Sequence, residues 1–344
     1  MLGKVKSLFS VQQLGLVVII LLLGVVMTIF AGSHVDRLSG HTVNNFLNPT
    51  TLIQIATDTS FFAIMAVGMT MVIISAGIDL SVGSIYAMSA VLMSLVLQKF
   101  THAPPFEQVM LGVILSCGIG VVAGFLNGIM VCRLGVHPFI ITLGTMWVYR
   151  GIAFVTTKAM SILVPDSLTH VAKANLGLRR DLFPVPMLVM LTVTVVGALF
   201  LQKTTWGRRI FAVGGNIEAA KYSGLPINRI LTSVYVIAGL CAGISAFVGT
   251  SFYGSSSSGD ASGYELYVIA SAVVGGASLN GGKGSAVGAM LGALLIVMIR
   301  QAIRTLNLDQ NYEWIIIGVA IVVSVVLDRW STVQAQRHLM RARQ

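Results

Sequence analysis

Residues 14–31 read LGLVVIILLLGVVMTIFA, an uncharged apolar run that decides the class of fold. Two more runs of the same character occupy 183–201 and 314–327. A helix of about 20 apolar residues spans roughly 30 Å of lipid hydrocarbon, so runs of this kind predict transmembrane helices. Because such runs recur along one chain, the sequence predicts a polytopic membrane protein.

The composition of the whole chain supports the same prediction. Its 344 residues are 56% hydrophobic and only 10% charged, whereas about 25% of residues are charged in an ordinary soluble domain. The periodicity is helical or featureless and lacks the alternation of an outer-membrane barrel, and only helices and closed barrels satisfy every backbone polar group within lipid. We therefore expect an all-α membrane protein, a polytopic helical bundle.

Polar breaks divide the chain into about ten predicted spans with soft boundaries. The spans are 12–32, 52–76, 79–98, 108–131, 138–156, 183–202, 230–251, 264–276, 284–306 and 312–328. We treat residues 1–344 as a single transmembrane domain, with residues 12–328 embedded in the bilayer.

The basic residues predict the orientation of these spans. The loop 203–229 carries five cations and a single acid, Glu218. Cytoplasmic loops are enriched in Lys and Arg, so we place this loop, both termini and the basic tail 329–344 in the cytoplasm. The formal net charge of +10 is therefore interpreted as an orientation signal, and we expect no nucleic-acid partner.

Two of the predicted spans are unusual. Segment 264–276 is short and interrupted by glycine, and the polar residues of 54–60 open segment 52–76. Such residues are costly against lipid. Broken or polar helices at membrane depth are tolerated where they are buried in protein or line a water-filled cavity. We therefore expect a bundle with broken or short helices, and a transport path close to these two segments.

Small residues recur at a spacing of four on two segments. Such faces let two helix backbones approach closely. We expect these faces to pack against other helices of the same chain, in preference to a second subunit. One face is formed by Gly120, Gly124 and Gly128, and the other by Gly284, Gly288 and Gly292.

Enzyme motifs are missing from the sequence. It contains no HExxH, GxSxG or CxxC pattern. The Gly-rich turn 275–284 resembles a Walker A loop, but Ala277 and Gly284 stand where that motif requires Gly and Ser or Thr. We therefore predict no catalytic residue, no metal site and no cofactor bound by this chain.

Few charges fall within the predicted spans. Asp58 and Arg150 are the plausible intramembrane charges, and neither has an evident partner in the sequence. A proton-coupled carrier usually places ionisable residues deep in its spans. The sequence therefore disfavours proton coupling, although sodium coupling through backbone carbonyls stays open.

Three blocks of sequence, in this order over roughly residues 50–328, resemble the ribose-type permease subunits of bacterial ABC sugar importers. The blocks are AIMAVGMT at 63–70 with SAGIDLSVGS at 75–84, then WGRR at 206–209 with GGN at 214–216 and EAAKYSG at 218–224, and finally GYEL at 263–266 with VGGASLNGGKG at 274–284.

The resemblance implies a permease domain that moves a monosaccharide, a ribose-like pentose or a related sugar, into the cell by alternating access. It implies a multi-pass protein of the bacterial inner membrane that forms a homodimer. It also implies a cytoplasmic ABC ATPase, expected as a fused tandem chain, and an extracytoplasmic sugar-binding protein. ATP and Mg²⁺ would bind to the ATPase. The alternatives are an ion-coupled secondary carrier for a sugar or nucleoside, and an intramembrane enzyme.

The loop 203–229 is predicted to contain a short exposed helix. Asn216 stands at an N-cap position, an EAAK core follows, and Gly224 and Pro226 end the helix. In the family that the sequence resembles, the corresponding helix lies in a groove of the ATPase. The candidate coupling residues are Asn216, Glu218, Ala219, Ala220, Lys221, Ser223 and Gly224.

Polar residues in or near the spans are candidates for the translocation path or its gate. These are Asp58, Asp79, Ser81, Asn127, Thr142 and Asn280. Most also have a structural interpretation: Asp79 or Ser81 caps the next helix, Asp58 caps its own helix, and the backbone satisfies Asn127 and Thr142.

Two acids lie on the predicted outer face. Asp260 and Glu265 flank the start of the short span 264–276. By default they are ordinary solvated acids. The resemblance brings this loop within reach of the binding protein, so both are candidates for that contact.

Overall fold

The computed structural model describes residues 11–35, 40–177, 182–320, 322, 323 and 326. These residues are mostly helical, with only four very short strands, which confirms the all-α bundle. Within the described part of the chain, eight helices are long and apolar enough to cross a membrane. The predicted tail 329–344 lies outside the described residues.

The long helices agree closely with the predicted spans. They are α1 (Val11–Phe30), α2 (Pro49–Ile74), α3 (Val82–Leu97), α4 (Pro105–Leu134), α5 (Pro138–Thr157), α7 (Val185–Lys203), α10 (Ile227–Tyr253) and α12 (Ala286–Thr305). Residues 312–320 are also helical and begin the last predicted span.

Several short elements connect them. The short helices are α6 (Asp166–Ala172), α8 (Thr205–Gly215), α9 (Ile217–Tyr222) and α11 (Tyr264–Val274). Two small antiparallel pairs join β1 (Ser33–Val35) to β2 (Thr42–Asn44) and β3 (Ile162–Leu163) to β4 (Ser255–Ser256). The strands, α6 and α8 have no counterpart in the predicted spans, because each is too short for hydrophobic periodicity to reveal.

Helix α2 forms the centre of the bundle. The apolar window of α2 is 94% buried, against 17% for that of α1. A helix that is apolar on every side is typical of a fully buried position. Its start is fixed by Asn48, whose side chain accepts from the N–H of Thr51, and by Pro49 in the first turn.

The peripheral helices α1, α4, α5 and α7 expose large apolar side chains on one face. Leu21 of α1 is 62% exposed and Trp147 of α5 is 68% exposed. In a helix long enough to span a membrane, such a face suits contact with lipid tails. The bundle is thus a buried centre surrounded by lipid-facing helices.

The small-residue faces pack within the chain, which confirms that interpretation. Helices α4 and α10 meet where Gly120 faces Gly239 and Gly124 faces the carbonyl of Tyr235, so closely that a Cβ at any of these glycines would overlap backbone atoms. Gly288 of α12 lies against Gly275 in the same way.

The predicted short span is a short helix. Helix α11 has 11 residues, which gives a length of about 16 Å, too short to cross the bilayer alone. Its start lies inside the bundle, because the carbonyl of Ala261 and the side chain of Glu265 lie next to Gly83 in the first turn of α3. The chain therefore enters the bundle between β4 and α11 without helical structure.

A leucine at Gly120 should force α4 away from α10, because its side chain would overlap the backbone of Gly239. Overpacking of this kind costs about 1–3 kcal/mol or more. Gly118→Leu is the matched control, because no atom lies within 4 Å of a Cβ at that position of the same helix. Thermal unfolding in detergent should give a lower midpoint for Gly120→Leu only. Equal midpoints for the two variants would contradict the packing.

Candidate translocation path and coupling surface

The predicted coupling loop folds into two consecutive short helices, α8 and α9. Thr204 caps α8 by accepting from the N–H of Gly207 at 2.9 Å. Asn216 ends α8 and caps α9 by accepting from the N–H of Ala219 at 2.9 Å. Gly224 follows α9 with a φ of +74°, in the left-handed region that favours glycine at a helix end. The predicted short helix is therefore confirmed, and α8 precedes it.

The surface of α9 is largely exposed. Of the candidate coupling residues only Ala220 is buried; the exposed ones are Asn216, Glu218, Ala219, Lys221, Ser223 and Gly224. Ile217 and Tyr222 are exposed as well, by 49% and 88%. The motif analysis missed these two side chains, although both lie within the quoted loop.

The end of α8 touches the end of the central helix α2 through backbone atoms. The carbonyl of Ile74 accepts from the N–H of Gly282, in the loop after α11, at 2.8 Å. A Cβ at Gly214 would overlap that same carbonyl. At Gly214 the backbones of α8 and α2 are in direct contact, so a displacement of one presses on the other.

A buried polar cluster connects α3, α4 and α5 near the same end of the bundle. Ser81 donates from its N–H and its hydroxyl to Asp79 Oδ1, at 2.8 and 2.7 Å. Asn127 Nδ2 donates to Ser81 Oγ at 2.7 Å, and Tyr149 Oη donates to Asn127 Oδ1 at 3.1 Å. All four side chains are buried. This Asp79 cluster therefore ties three helices together through side chains.

Three sequence-based interpretations are tested by these contacts. The predicted cap of α3 by Asp79 or Ser81 is wrong, because Ser81 at the N-cap makes no side-chain cap hydrogen bond and Asp79 accepts from the N–H of Ser81 itself. Asn127 bonds side chains, so its predicted satisfaction by the backbone is wrong. Thr142 does bond the backbone, since its hydroxyl donates to the Ile78 carbonyl at 3.2 Å and accepts from the Leu80 N–H at 3.1 Å.

Two polar atoms beside the cluster have no hydrogen-bond partner among the described residues. They are Asp79 Oδ2 and Tyr235 Oη, both buried. Buried polar groups are rarely left unpaired, and an ordered water is the common partner. A cavity of about 540 Å³ opens beside Tyr235, between the end of α2 and the coupling helices. It is lined in part by Gly77, His137 and Asn216.

A second cavity of about 540 Å³ lies at the opposite end of α2, predicted to be the outer end. It contains Asp58, which accepts from Gln54 Nε2 at 2.9 Å and pairs with Arg304 at 3.4 Å. Because α2 begins at Pro49, the cap role expected for Asp58 is wrong. Asp58 also has a charged partner, Arg304, which was not evident because it is far away in sequence.

Arg150 also has partners that the sequence did not reveal. Its guanidinium donates to the carbonyls of Ser258, Asp260 and Ala261, at 2.8, 2.6 and 3.3 Å. These carbonyls belong to the non-helical segment before α11, where the backbone makes no helical hydrogen bonds. Arg150 therefore holds this segment against α5.

The two outer acids are only partly exposed, so their description as ordinary solvated acids is wrong. Asp260 accepts from the N–H of Ser257 at 2.8 Å. Glu265 has one buried oxygen without a hydrogen-bond partner among the described residues. Their contact with a binding protein stays a prediction. Asn280 is exposed in the loop after α11, and its part in a gate also stays a prediction.

No group of three or more His, Cys, Asp or Glu side chains arranged to hold a metal ion occurs in the described residues. The polar groups at both ends of α2 suit hydrogen bonding to a small neutral molecule or to water.

Comparisons with known proteins agree with this architecture. The family described as "Branched-chain amino acid transport system / permease component" matches residues 51–325. The ribose import permease protein RbsC of Haemophilus influenzae is 36% identical over 94% of this chain and 94% of its own length. The D-allose transport system permease protein AlsC of Escherichia coli is 34% identical, over 83% and 85%.

A third relative, the fructose import permease protein FrcC of Rhizobium meliloti, is 31% identical over 83% of this chain and 79% of its own length. The comparison with solved structures found no significant match.

Replacing Asp79 should show how much its carboxylate stabilises the fold as the hydrogen-bond acceptor of Ser81. Asp79→Ala leaves the N–H and hydroxyl of Ser81 without their acceptor, which costs about 1–3 kcal/mol for each buried group left unpaired. Asp79→Asn keeps an oxygen in the same place and should lose less. Thermal unfolding midpoints in detergent should therefore fall in the order wild type, Asn, Ala. A midpoint for Asp79→Ala equal to that of wild type would contradict the role of the cluster.

Proposed function

Because the chain belongs to the family of branched-chain amino acid transport system permease components, and is similar to the ribose-type permeases of ABC sugar importers, we propose that it moves a monosaccharide into a bacterial cell. The observation that carries this proposal is the alignment of most of the chain with permeases named for ribose, allose and fructose. All three are small neutral polyols. The cargo proposed here is a sugar of that class.

The energy source in this proposal is a separate ATPase on the cytoplasmic side. The Gly-rich turn 275–284 is not a Walker A motif, since Ala277 and Gly284 interrupt that pattern. The exposed face of α9 is the proposed docking surface, with Ile217 and Tyr222 as apolar anchors beside Glu218 and Lys221. Apolar and aromatic anchors within a polar rim are common at such interfaces.

The proposed coupling step uses the backbone contact between α8 and α2. Movement of the ATPase shifts α9, which is joined to α8 at Asn216. The end of α8 then presses on the carbonyl of Ile74 through Gly214. Because α2 runs through the whole bundle, its displacement reaches both cavities.

Alternating access needs a barrier between the two cavities. They lie at opposite ends of α2, and every residue from Phe61 to Ile74 of that helix is buried. We propose that small rotations of α2 and of the short helix α11 open one cavity at a time. The Asp79 cluster lies beside the inner cavity, where it would offer hydrogen bonds to a passing sugar or its water.

The remaining partners follow from the same family membership. We propose a homodimer in the bacterial inner membrane, a fused tandem ATPase and an extracytoplasmic sugar-binding protein. ATP and Mg²⁺ belong to the ATPase in this scheme. The alternative of an ion-coupled carrier would make α9 dispensable for uptake.

Reconstitution distinguishes these alternatives. The chain is placed in proteoliposomes with the ATPase and binding protein encoded beside it, and uptake of labelled D-ribose, D-allose and D-fructose is measured with and without internal ATP. We expect uptake of at least one sugar that requires ATP and both partners. Uptake by this chain alone under a sodium or proton gradient would contradict the proposal.

A further inference from the structure

The outer cavity is lined mainly by polar and aromatic side chains. It lies where the outer ends of α2, α10 and α12 meet the start of α11 and the helical stretch 312–320. Its volume of about 540 Å³ falls within the roughly 300–1,000 Å³ typical of small-molecule sites. Its lining includes Gln54, Asp58, Phe61, Phe62, Tyr253, Tyr264, Arg300, Arg304, Gln310 and Glu313.

The charged side chains of the cavity form two ion pairs. Arg300 and Glu313 approach to 2.7 Å, and their side chains are 22% and 13% exposed. Arg304 and Asp58 approach to 3.4 Å, with exposures of 40% and 13%. The two cations and two anions sum to zero charge. A charged ligand would have to break a pair and leave a partly buried partner uncompensated, which is costly.

Aromatic rings form the other walls. Phe62 and Tyr264 lie with ring centroids 4.5 Å apart, and Phe61 and Tyr253 lie 5.6 Å apart. The guanidinium of Arg300 stacks over Phe62, 5.2 Å from its centroid. An aromatic face carries partial negative charge and attracts the C–H groups on the apolar side of a sugar ring. Phe61 and Phe62 are buried, so Tyr253, which is 59% exposed, is the ring that offers such a face.

These features together match a neutral polyol. Sugar hydroxyls donate to carboxylates and accept from guanidinium groups, and therefore add to an existing ion pair without breaking it. Because the four charges are already paired with each other, hydrogen bonds to a sugar add little binding energy. Binding should therefore be weak. Weak binding suits a step on a transport route, because a tightly held cargo would be released slowly.

We propose that this outer cavity is a weak binding site for the neutral sugar cargo, occupied after release from the binding protein and before the central barrier opens. The inference rests on the proposed function. It adds the place and chemistry of binding, with Arg300, Arg304, Asp58 and Glu313 as hydrogen-bonding groups and Tyr253 as the stacking surface.

Protection of a cysteine from labelling tests the site directly. Gln310→Cys is introduced at the cavity wall in a chain whose Cys117, Cys132 and Cys241 are replaced by alanine, within the permease–ATPase complex. Thr101→Cys, an exposed position in a different surface cavity, is the matched control. A membrane-impermeant maleimide labels each variant with and without D-ribose, D-allose, D-fructose or D-gluconate.

At a sugar concentration about five times Kd, mass action leaves roughly one sixth of the sites free, so labelling of Gln310→Cys should slow about sixfold. Labelling of Thr101→Cys should be unchanged. D-gluconate, an anionic sugar acid, should protect neither variant. Equal labelling of Gln310→Cys with and without the transported sugar, or equal protection by D-gluconate, would overturn the proposed site.

Removing one member of a pair gives a second readout. Glu313→Gln should slow sugar uptake severalfold while the ATPase remains stimulated by the binding protein. Glu107→Gln, an exposed acid at the start of α4, is the control and should leave both unchanged. Parallel loss of uptake and ATP hydrolysis in Glu313→Gln would indicate a purely structural pair and contradict sugar binding there.

The uptake of wild type keeps this inference separate from the proposed function. If the wild-type complex imports a sugar that does not protect Gln310→Cys, the cavity is not the binding site and the proposed function stands. If the wild-type complex imports no sugar in the presence of ATP and both partners, the proposed function fails, and the site fails with it.

Discussion

Close approach of backbones around α2 is the constraint on which the rest of the structure depends. Neighbouring segments meet this helix at glycines: Gly197 of α7 contacts Val67, Gly214 of α8 contacts Ile74, and Gly284 contacts the side chain of Ile74. A side chain at any of these glycines would push its segment away. Because every residue from 61 to 74 is buried, this part of α2 moves only when its neighbours move.

This constraint joins the two ends of the protein. At the end of α2 predicted to be cytoplasmic, α2 receives the contact of α8, and the Asp79 cluster holds α3, α4 and α5 close by. At the outer end, Asp58 of α2 pairs with Arg304 of α12. The same rigid helix therefore borders the coupling surface, the inner cavity and the outer cavity. In the proposed mechanism, displacement of α2 alone is enough to connect the coupling surface to both cavities.

Local patterns in the sequence were sufficient for the long helices and for the cap of α9. Apolar runs of fixed length are a property of contiguous residues, and the Asn216 cap acts over three residues. The partners of Asp58, Asn127 and Arg150 could not be predicted, because they come from distant segments: Arg304 lies 246 positions from Asp58. The balanced charges of the outer cavity escaped notice for the same reason.

The contact between α8 and α2 carries the central claim, and the sugar imported per ATP hydrolysed by the reconstituted complex tests it most directly. Gly214→Ala places a Cβ against the Ile74 carbonyl, whereas Gly215→Ala has no atom within 4 Å of its Cβ. The account predicts that Gly214→Ala lowers the ratio of uptake to hydrolysis and that Gly215→Ala matches wild type. Equal ratios for both variants and wild type would contradict direct coupling through this contact.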